Sequence, residues 1–233
     1  MRDLLVITPS RGRPDRLADM LRATLDLSTA ETDVAVAIDE DDIGSYIDAR
    51  ARFDGEPRVK WFSGPRRTLT GWTNELAKFQ GHGYRALASL GDDHLPRTEG
   101  WDTLLLAAID AMGGTGIAYG DDGIFGERLP TAPVISADIV SALGWMCVPA
   151  VHHMCVDVGW KDIGLGAGCL AYVPEVTIEH RHPIAAKAQW DGTYLASEAG
   201  KEADRAAYER WKDGGGLADA VDAVRALREA RAA

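Results

Sequence analysis

The sequence predicts an α/β protein built on a mostly parallel central sheet, with helices on both faces and a further helix at the C-terminus. Short apolar runs alternate with amphipathic stretches through the first half of the chain, which is typical of strand–helix–strand units. Three of these runs stop abruptly at polar residues, as expected where parallel strands end at the ligand-binding edge of a sheet. The 233 residues correspond to one domain, or to one domain with a small extension.

Each predicted element in the first half follows from its local pattern. Pro14 and Asp15 suit the first turn of a helix, because proline loses no hydrogen bond there and the acidic side chain favours the positive end of the helix dipole. Apolar residues recur at helical spacing up to Leu25. Four apolar runs of strand length and two further helical stretches complete this half. The runs are Leu4–Ile7, Val34–Ile38, Val59–Phe62 and Leu87–Leu90, and the helical stretches are Ile43–Phe53 and Trp72–Phe79.

The second half is less regular. Trp101–Met112 predicts an amphipathic helix that the following glycines end. Stretches 145–168 and 187–211 show no clear periodicity, so an irregular segment and a polar segment are expected there. Short strands and helices are predicted at Ile117–Tyr119, Ser136–Leu143, Ala171–Val173, Val176–Ile178 and 217–231.

Composition excludes several functional classes. The net charge of −11 disfavours general binding to phosphate backbones, so a nucleic acid acceptor is possible but not favoured. Three scattered cysteines make a disulfide framework or a zinc site improbable and indicate reduced thiols. No apolar stretch reaches membrane-spanning length, and Pro9 interrupts the first apolar run too early for a signal peptide. A cytoplasmic protein is therefore expected.

The most informative stretch is Gly91-Asp92-Asp93-His94, which follows a buried apolar run. Two adjacent carboxylates repel each other, so keeping both ionised at a strand end requires a compensating cation. Mg²⁺ and Mn²⁺ prefer carboxylate oxygens, and an imidazole can add a nitrogen ligand. The alternative is a polar Gly-Asp-Asp turn without a ligand.

In combination, the polar strand ends resemble those of family-2-like glycosyltransferases of the GT-A fold, including small stand-alone enzymes of bacteria and phages. The resemblance covers roughly residues 4 to 105. The segments that carry it are Val6-Ile7-Thr8-Pro9-Ser10-Arg11, Ala37-Ile38-Asp39-Glu40-Asp41, Gly71-Trp72-Thr73-Asn74, Leu90-Gly91-Asp92-Asp93-His94 and Gly100-Trp101. It implies a GT-A domain over 1–183, with a nucleotide-binding half (1–100) and an acceptor half (101–183). Residues 184–233 would form a C-terminal extension.

The resemblance also implies roles for individual residues at the nucleotide. The loop after the first strand holds the nucleotide in this family, which indicates Thr8, Pro9 and Arg11. Asp39 corresponds to the acidic residue that reads the base, and carboxylates accept well from base N–H groups. Asn74 falls where the family has an asparagine near the nucleotide.

The family's metal motif has two variants that fit this chain. In one variant Asp92 holds the ribose and Asp93 the metal, and in the other Asp92 and His94 bind the metal. Several relatives take a further ligand from a late histidine, which indicates His180 or its neighbour His182. We favour Asp93, His94 and His180 as the metal ligands and Asp92 as a nucleotide contact.

The resemblance implies an inverting transfer of a sugar from a nucleotide-sugar to an acceptor hydroxyl, with Mn²⁺ or Mg²⁺ as cofactor. A UDP-sugar is favoured over a GDP-sugar as donor, and the acceptor is not identified. The family's usual Glu-Asp pair is missing from the acceptor segment, so Asp157 is the predicted catalytic base, with Asp162 second. The alternatives are a nucleotidyltransferase of related architecture and a degenerate module that binds sugar nucleotides.

Overall fold

The computed structural model describes residues 1–232, and within them a single mixed sheet has the strand order β3-β2-β1-β4-β7-β6-β8-β5. The predicted α/β fold class is confirmed. Four strand pairs in this part of the chain are parallel and three are antiparallel. The strands are β1 Arg2–Ser10, β2 Thr32–Asp39, β3 Val59–Gly64, β4 Tyr84–Ser89, β5 His94–Pro96, β6 Ile117–Asp121, β7 Val134–Ser136 and β8 Leu170–His180.

Helices cover both faces of the sheet. One face packs against α1 and α4, and the other against α3, α5, α6 and α8. The helices are α1 Pro14–Leu27, α2 Ile47–Ala51, α3 Leu69–Gln80, α4 Trp101–Ala111, α5 Ala137–Leu143, α6 Val156–Gly166, α7 Gly192–Asp213 and α8 Gly216–Ala232. None of the helices within residues 1–232 is long and apolar enough to span a membrane.

The parallel half of the sheet explains the continuous apolar runs. In β1, Leu4 and Val6 belong to the core on one face, whereas Leu5 and Ile7 belong to the core on the other. A strand that is buried on both faces carries apolar residues throughout rather than at alternate positions. Because β1, β2 and β4 run parallel, their carboxyl ends meet at one edge of the sheet.

The antiparallel half brings the late part of the chain to the same edge. The short strand β5 pairs with the end of β8, so that His94 lies directly opposite His180. The sequence predicted two short strands at 171–173 and 176–178, but the structure has one continuous strand β8. Its pairing with β6 shifts register between Gly120 and Asp121.

Two helices in the second half correct the sequence-based expectation. The stretch 145–168 contains α6 rather than only irregular chain, and Gly159 and Gly164 obscured its pattern. A Cβ at Gly159 would lie 2.7 Å from Val148 Cγ2, so glycine serves close packing there. The polar stretch 187–211 mostly forms α7, whose buried residues are only Tyr194, Asp204 and Tyr208. So few buried positions leave little apolar periodicity to detect.

Candidate active site

Asp92 lies in the turn after β4, at the carboxyl edge of the sheet, and is 5% exposed. One carboxylate oxygen accepts from the Ser10 hydroxyl at 2.6 Å, and the other accepts from Arg13 Nη1 at 3.1 Å. Burial, followed by the neighbouring charge of Asp93, raises the pKa of Asp92 to about 6. The side chain is therefore held between Ser10, at the end of β1, and Arg13 in the β1–α1 loop.

Asp93 lies close to side chains from β5, β8 and α7. Its Oδ2 accepts from the Tyr194 hydroxyl of α7 at 2.7 Å and lies 3.6 Å from His180 Nε2, while its Oδ1 lies 3.2 Å from His94 Nδ1. Burial raises the pKa of Asp93, but the neighbouring imidazoles of His180 and His94 outweigh it and hold the pKa well below its usual range. Asp93 is thus an ionised carboxylate in a nearly buried site.

The rings of His94 and His180 stack on one another beside this carboxylate. Gly91 N–H donates to His94 Nδ1 at 3.1 Å, which assigns that nitrogen as an acceptor. Burial, and then the charge of His180, lower the pKa of His94. Burial also lowers the pKa of His180, but Asp122 and Asp93 on its two sides raise it more, to about 9.

Asp122 completes this cluster and was missed in the sequence analysis. One of its oxygens accepts the backbone N–H groups of Ile124, Phe125 and Gly126 at 2.6 to 3.0 Å, and the other accepts from Thr131. The second oxygen lies 3.8 Å from His180 Nδ1. Burial raises the pKa of Asp122, but His180 and the backbone donors lower it strongly. The Gly-Asp-Asp-Gly segment resembled an ordinary turn and gave no further signal.

The residues Asp93, His94 and His180 fit a divalent metal ion. One ligand atom from each lies within 4.8 Å of the other two. A carboxylate oxygen with two imidazole nitrogens is a donor set that Mn²⁺ accepts. Moreover, His94 Nδ1 and Asp93 Oδ1 lie 3.2 Å apart, although the bond from Gly91 N–H makes that nitrogen an acceptor. Two acceptor atoms this close are stabilised by a shared cation, which supports a metal ion at this position.

Asp39 and Arg11 form a second polar group at the same edge. Asp39 Oδ1 accepts from Trp72 Nε1 at 2.7 Å and from Arg67 N–H at 3.0 Å, and its Oδ2 accepts from Arg11 at 2.8 Å. Arg11 also binds Asp41 through two further hydrogen bonds. A carboxylate has about four acceptor directions, so Asp39 retains one for a ligand N–H group.

Comparison with solved structures finds a similar fold in several glycosyltransferases. The mannosyltransferase PcManGT from Pyrobaculum calidifontis, solved with GDP-Man and Mn²⁺, matches 100% of this chain and 77% of its own, at 10% identity and a TM-score of 0.60. S. aureus TarS 1-349 in complex with UDP matches at 10% identity and a TM-score of 0.59. The match covers 76% of this chain and 59% of TarS 1-349, which is less than two thirds of its length.

A third solved structure also has a similar fold. Glucosyl-3-phosphoglycerate synthase from Mycobacterium tuberculosis, solved with Mn²⁺, UDP-Glc and phosphoglyceric acid, matches 78% of this chain and 72% of its own, at 12% identity and a TM-score of 0.57. This chain has the GT-A fold. The resemblance noted in the sequence is thereby confirmed at the level of the fold. No family model matches the chain, and no curated protein matches it significantly.

The remaining predicted nucleotide contacts are Thr8, Pro9 and Asn74, and they differ in burial and in hydrogen bonding. Thr8 is fully buried, and its hydroxyl has no hydrogen-bond partner among the described residues, whereas Pro9 is half-buried. The Asn74 amide accepts the backbone N–H groups of Met146 and Cys147 and donates to the Cys147 carbonyl. Asn74 thus anchors that loop, and its predicted nucleotide contact stays a prediction.

Asp157, the predicted base, lies at the start of α6. Asp157 is in the first turn of α6, where one of its oxygens accepts from Val158 N–H at 2.9 Å. Burial raises the pKa of Asp157, and the charges of His180 and Asp122 act on it as well. Nearby, burial lowers the pKa of His153, which is also influenced by the charge of Asp93.

Arg13 is another site residue that sequence reasoning missed. It is 8% exposed, and its Nη1 lies 3.1 Å from Asp92 and 3.8 Å from Asp93. It therefore supplies part of the positive charge that two adjacent carboxylates require. A second basic residue in the Ser10-Arg11-Gly12-Arg13 loop was visible in the sequence, but nothing there indicated which arginine points inward.

Proposed function

We propose that this protein is a metal-dependent glycosyltransferase that moves a sugar from a nucleotide-sugar to an acceptor hydroxyl. The observation that carries the proposal is the buried cluster of Asp93, His94 and His180 at the carboxyl edge of a GT-A sheet. Glycosyltransferases with the same fold bind UDP-sugars or GDP-Man together with Mn²⁺. A nucleotide-sugar donor with Mn²⁺ or Mg²⁺ is the ligand set that suits these residues.

In this proposal, Asp93, His94 and His180 hold the metal ion, which when bound neutralises charge on the diphosphate leaving group. Asp122 and the Gly91 N–H orient the two rings before any ligand arrives. Preorganised groups of this kind lower the reorganisation that the reaction requires.

The remaining roles belong to residues on either side of the metal ligands. Asp39 accepts an N–H of the base through its free acceptor direction, and Asp92 contacts the ribose. On the acceptor side, Asp157 takes the proton of the acceptor hydroxyl as that oxygen attacks the anomeric carbon. Its pKa is raised by burial, which brings a carboxylate closer to the basicity that general base catalysis favours. A single displacement of this type inverts the anomeric configuration.

The test is incubation with UDP-, GDP- and ADP-sugars in the presence of Mn²⁺, with release of nucleoside diphosphate as the readout. Release from one donor, lost on EDTA treatment and in Asp93→Asn, is the expected result. Release of pyrophosphate would instead indicate a nucleotidyltransferase. Binding of a nucleotide-sugar without turnover, whatever acceptor is supplied, would indicate a binding module.

A further inference from the structure

The N-cap and first turn of α7 are attached to the candidate site by the side chains of Asp191, Thr193 and Tyr194. Asp191 binds Arg13 with two hydrogen bonds, from Nε at 2.9 Å and from Nη2 at 2.7 Å, and lies 3.5 Å from Arg16 Nη1. Thr193 donates to the Arg11 carbonyl at 3.1 Å. Tyr194 reaches deeper, where its hydroxyl meets Asp93.

The bond between Arg13 and Asp191 has the geometry with which arginine binds phosphate. A guanidinium offers two parallel N–H donors that match either a carboxylate or a phosphate group. Arg13 is nearly buried, whereas the Asp191 side chain is 33% exposed. The anion partner can therefore be exchanged from the solvent side without moving the arginine.

Tyr194 occupies the neighbouring position. Its hydroxyl donates to Asp93 Oδ2, an oxygen of the predicted metal ligand, and its ring lies 3.8 Å from the Arg13 guanidinium carbon. Arg16 Nη1 donates to the same hydroxyl at 2.9 Å. Asp191 and Tyr194 thus contact an arginine pair and a metal-ligand carboxylate from one turn of one helix.

We infer that Arg13 and Arg16 form the binding site for the diphosphate of the donor, and that Asp191 occupies this site as an internal competitor when no ligand is bound. The inference rests on the proposed function, because it takes the donor to be a nucleoside diphosphate derivative. In this view, the Asp191 carboxylate at the start of α7 lies where a phosphate group of the donor would bind. When the start of α7 moves away from the site, Tyr194 moves together with Asp191 and its hydrogen bond to Asp93 breaks.

The arrangement has a quantitative consequence. When a ligand must displace an internal competitor, its apparent association constant is the intrinsic constant multiplied by the fraction of molecules in which the site is free. Removing the charge of Asp191 therefore tightens diphosphate binding, whereas a purely structural ion pair would lower stability and leave binding unchanged or weaker. Asp191 also caps α7 by accepting from the N–H groups of Thr193 and Tyr194. Asparagine caps helices as well as aspartate does, so Asp191→Asn separates the two functions.

The experiment is calorimetric titration of pyrophosphate into the protein in EDTA, where neither metal nor turnover contributes. Asp191→Asn is expected to bind pyrophosphate about fivefold more tightly than the unaltered chain, and Arg16→Gln about fivefold more weakly. Asp19→Asn is the matched control, since it removes the same charge from an exposed site of α1, 3.5 Å from Arg181. Circular dichroism and thermal unfolding verify that α7 remains folded.

Pyrophosphate affinity that is equal or lower in Asp191→Asn, or no binding to any variant, would overturn the inference. An equal gain in Asp19→Asn would do so too, because net charge alone would then explain the effect. Binding of inorganic phosphate without pyrophosphate would exclude a diphosphate site. If the unaltered chain transfers sugar but Asp191→Asn shows no gain in pyrophosphate affinity, only this inference is refuted. If Asp191→Asn gains pyrophosphate affinity but the chain transfers no sugar, only the proposed function is refuted.

Discussion

The imidazole rings of His94 and His180 stack with 4.1 Å between their centroids and an interplanar angle of 22°. The two residues lie directly opposite each other in the antiparallel pair of β5 and β8. Residues opposite one another in such a pair have side chains on the same face, a few ångströms apart. The separation of these candidate ligands is therefore held by backbone hydrogen bonds, although they are far apart in sequence.

Asp122→Asn tests how His180 is oriented. Asparagine keeps an oxygen for the three backbone donors but loses the charge that faces His180 Nδ1. Loss of such an outer partner typically lowers metal affinity by about 10- to 100-fold, and we expect a loss in this range for Mn²⁺ by calorimetry. Asp121→Asn is the control, since it removes the neighbouring charge in the same segment, where Asp121 accepts from Gly123 N–H. Equal affinity in both variants would remove Asp122 from the site.

Gly91→Ala tests the spacing between Asp93 and His94. A Cβ at Gly91 would lie 2.7 Å from Asp93 Oδ1 and 3.0 Å from His94 Nδ1, so these two candidate ligands must separate. We expect a loss of Mn²⁺ affinity of about tenfold or more, because ligand geometry limits metal binding. Gly200→Ala adds the same methyl group in α7, where nothing lies within 4 Å. Unchanged Mn²⁺ binding in Gly91→Ala would show that the two side chains do not act together on a metal.

Asp39→Asn tests the assignment of Asp39 to the base. Asparagine retains an oxygen for Trp72 and Arg67 but replaces the free acceptor with a donor. The KM for the donor should rise about tenfold with little change in kcat, because base contacts are equally strong in the ground and transition states. Asp41→Asn, which also removes a partner of Arg11, serves as the control. A fall in kcat alone would contradict the predicted role.

Elements with strong local signals could be predicted from the sequence. The apolar runs within β1 and β2 are buried on both faces, and Pro14 begins α1 as expected. β5 could not be predicted, because a three-residue strand has no detectable periodicity and forms only by pairing with β8. Similarly, the stretch 43–53 was predicted as one helix but forms a short turn of 3-10 helix followed by the short α2.

The candidate site was predictable only in part, for a physical reason. Asp93, His94 and His180 carry metal-ligand chemistry in their residue types, so a resemblance and a strand-end pattern could indicate them. Asp122 and Tyr194 belong to the site only because the fold places them there. Asp122 lies beside His180 in the turn after β6, and Tyr194 of α7 donates to Asp93. The stretch 185–200 has few large apolar residues, and nothing in the sequence indicated that its Tyr194 is buried with its hydroxyl bound to Asp93.

The last prediction concerns Asp204 of α7, which holds the loop before α6. Its carboxylate accepts the backbone N–H groups of His152, His153 and Met154 at 2.8 to 2.9 Å, and the residue is 5% exposed. Burial raises the pKa of Asp204, but these donors lower it more, so the net shift is downward. Asp204→Asn places an NH₂ group against the donors and should destabilise the protein by about 1–3 kcal/mol at pH 7.

The sign of the pH dependence follows from this lowered pKa. A carboxylate whose folded pKa is depressed stabilises the protein fully above its unfolded pKa of about 3.9. That contribution disappears as the pH falls through the folded pKa. The difference in unfolding free energy between the unaltered protein and Asp204→Asn, measured with urea at several pH values, should therefore be constant at neutral pH and shrink below about pH 4. Glu202→Gln, at an exposed position of the same helix, should show no difference at neutral pH. A difference for Asp204→Asn that stayed the same down to the lowest pH at which the protein folds would mean that the charge of Asp204 contributes nothing, and that only the shape of its side chain holds the loop.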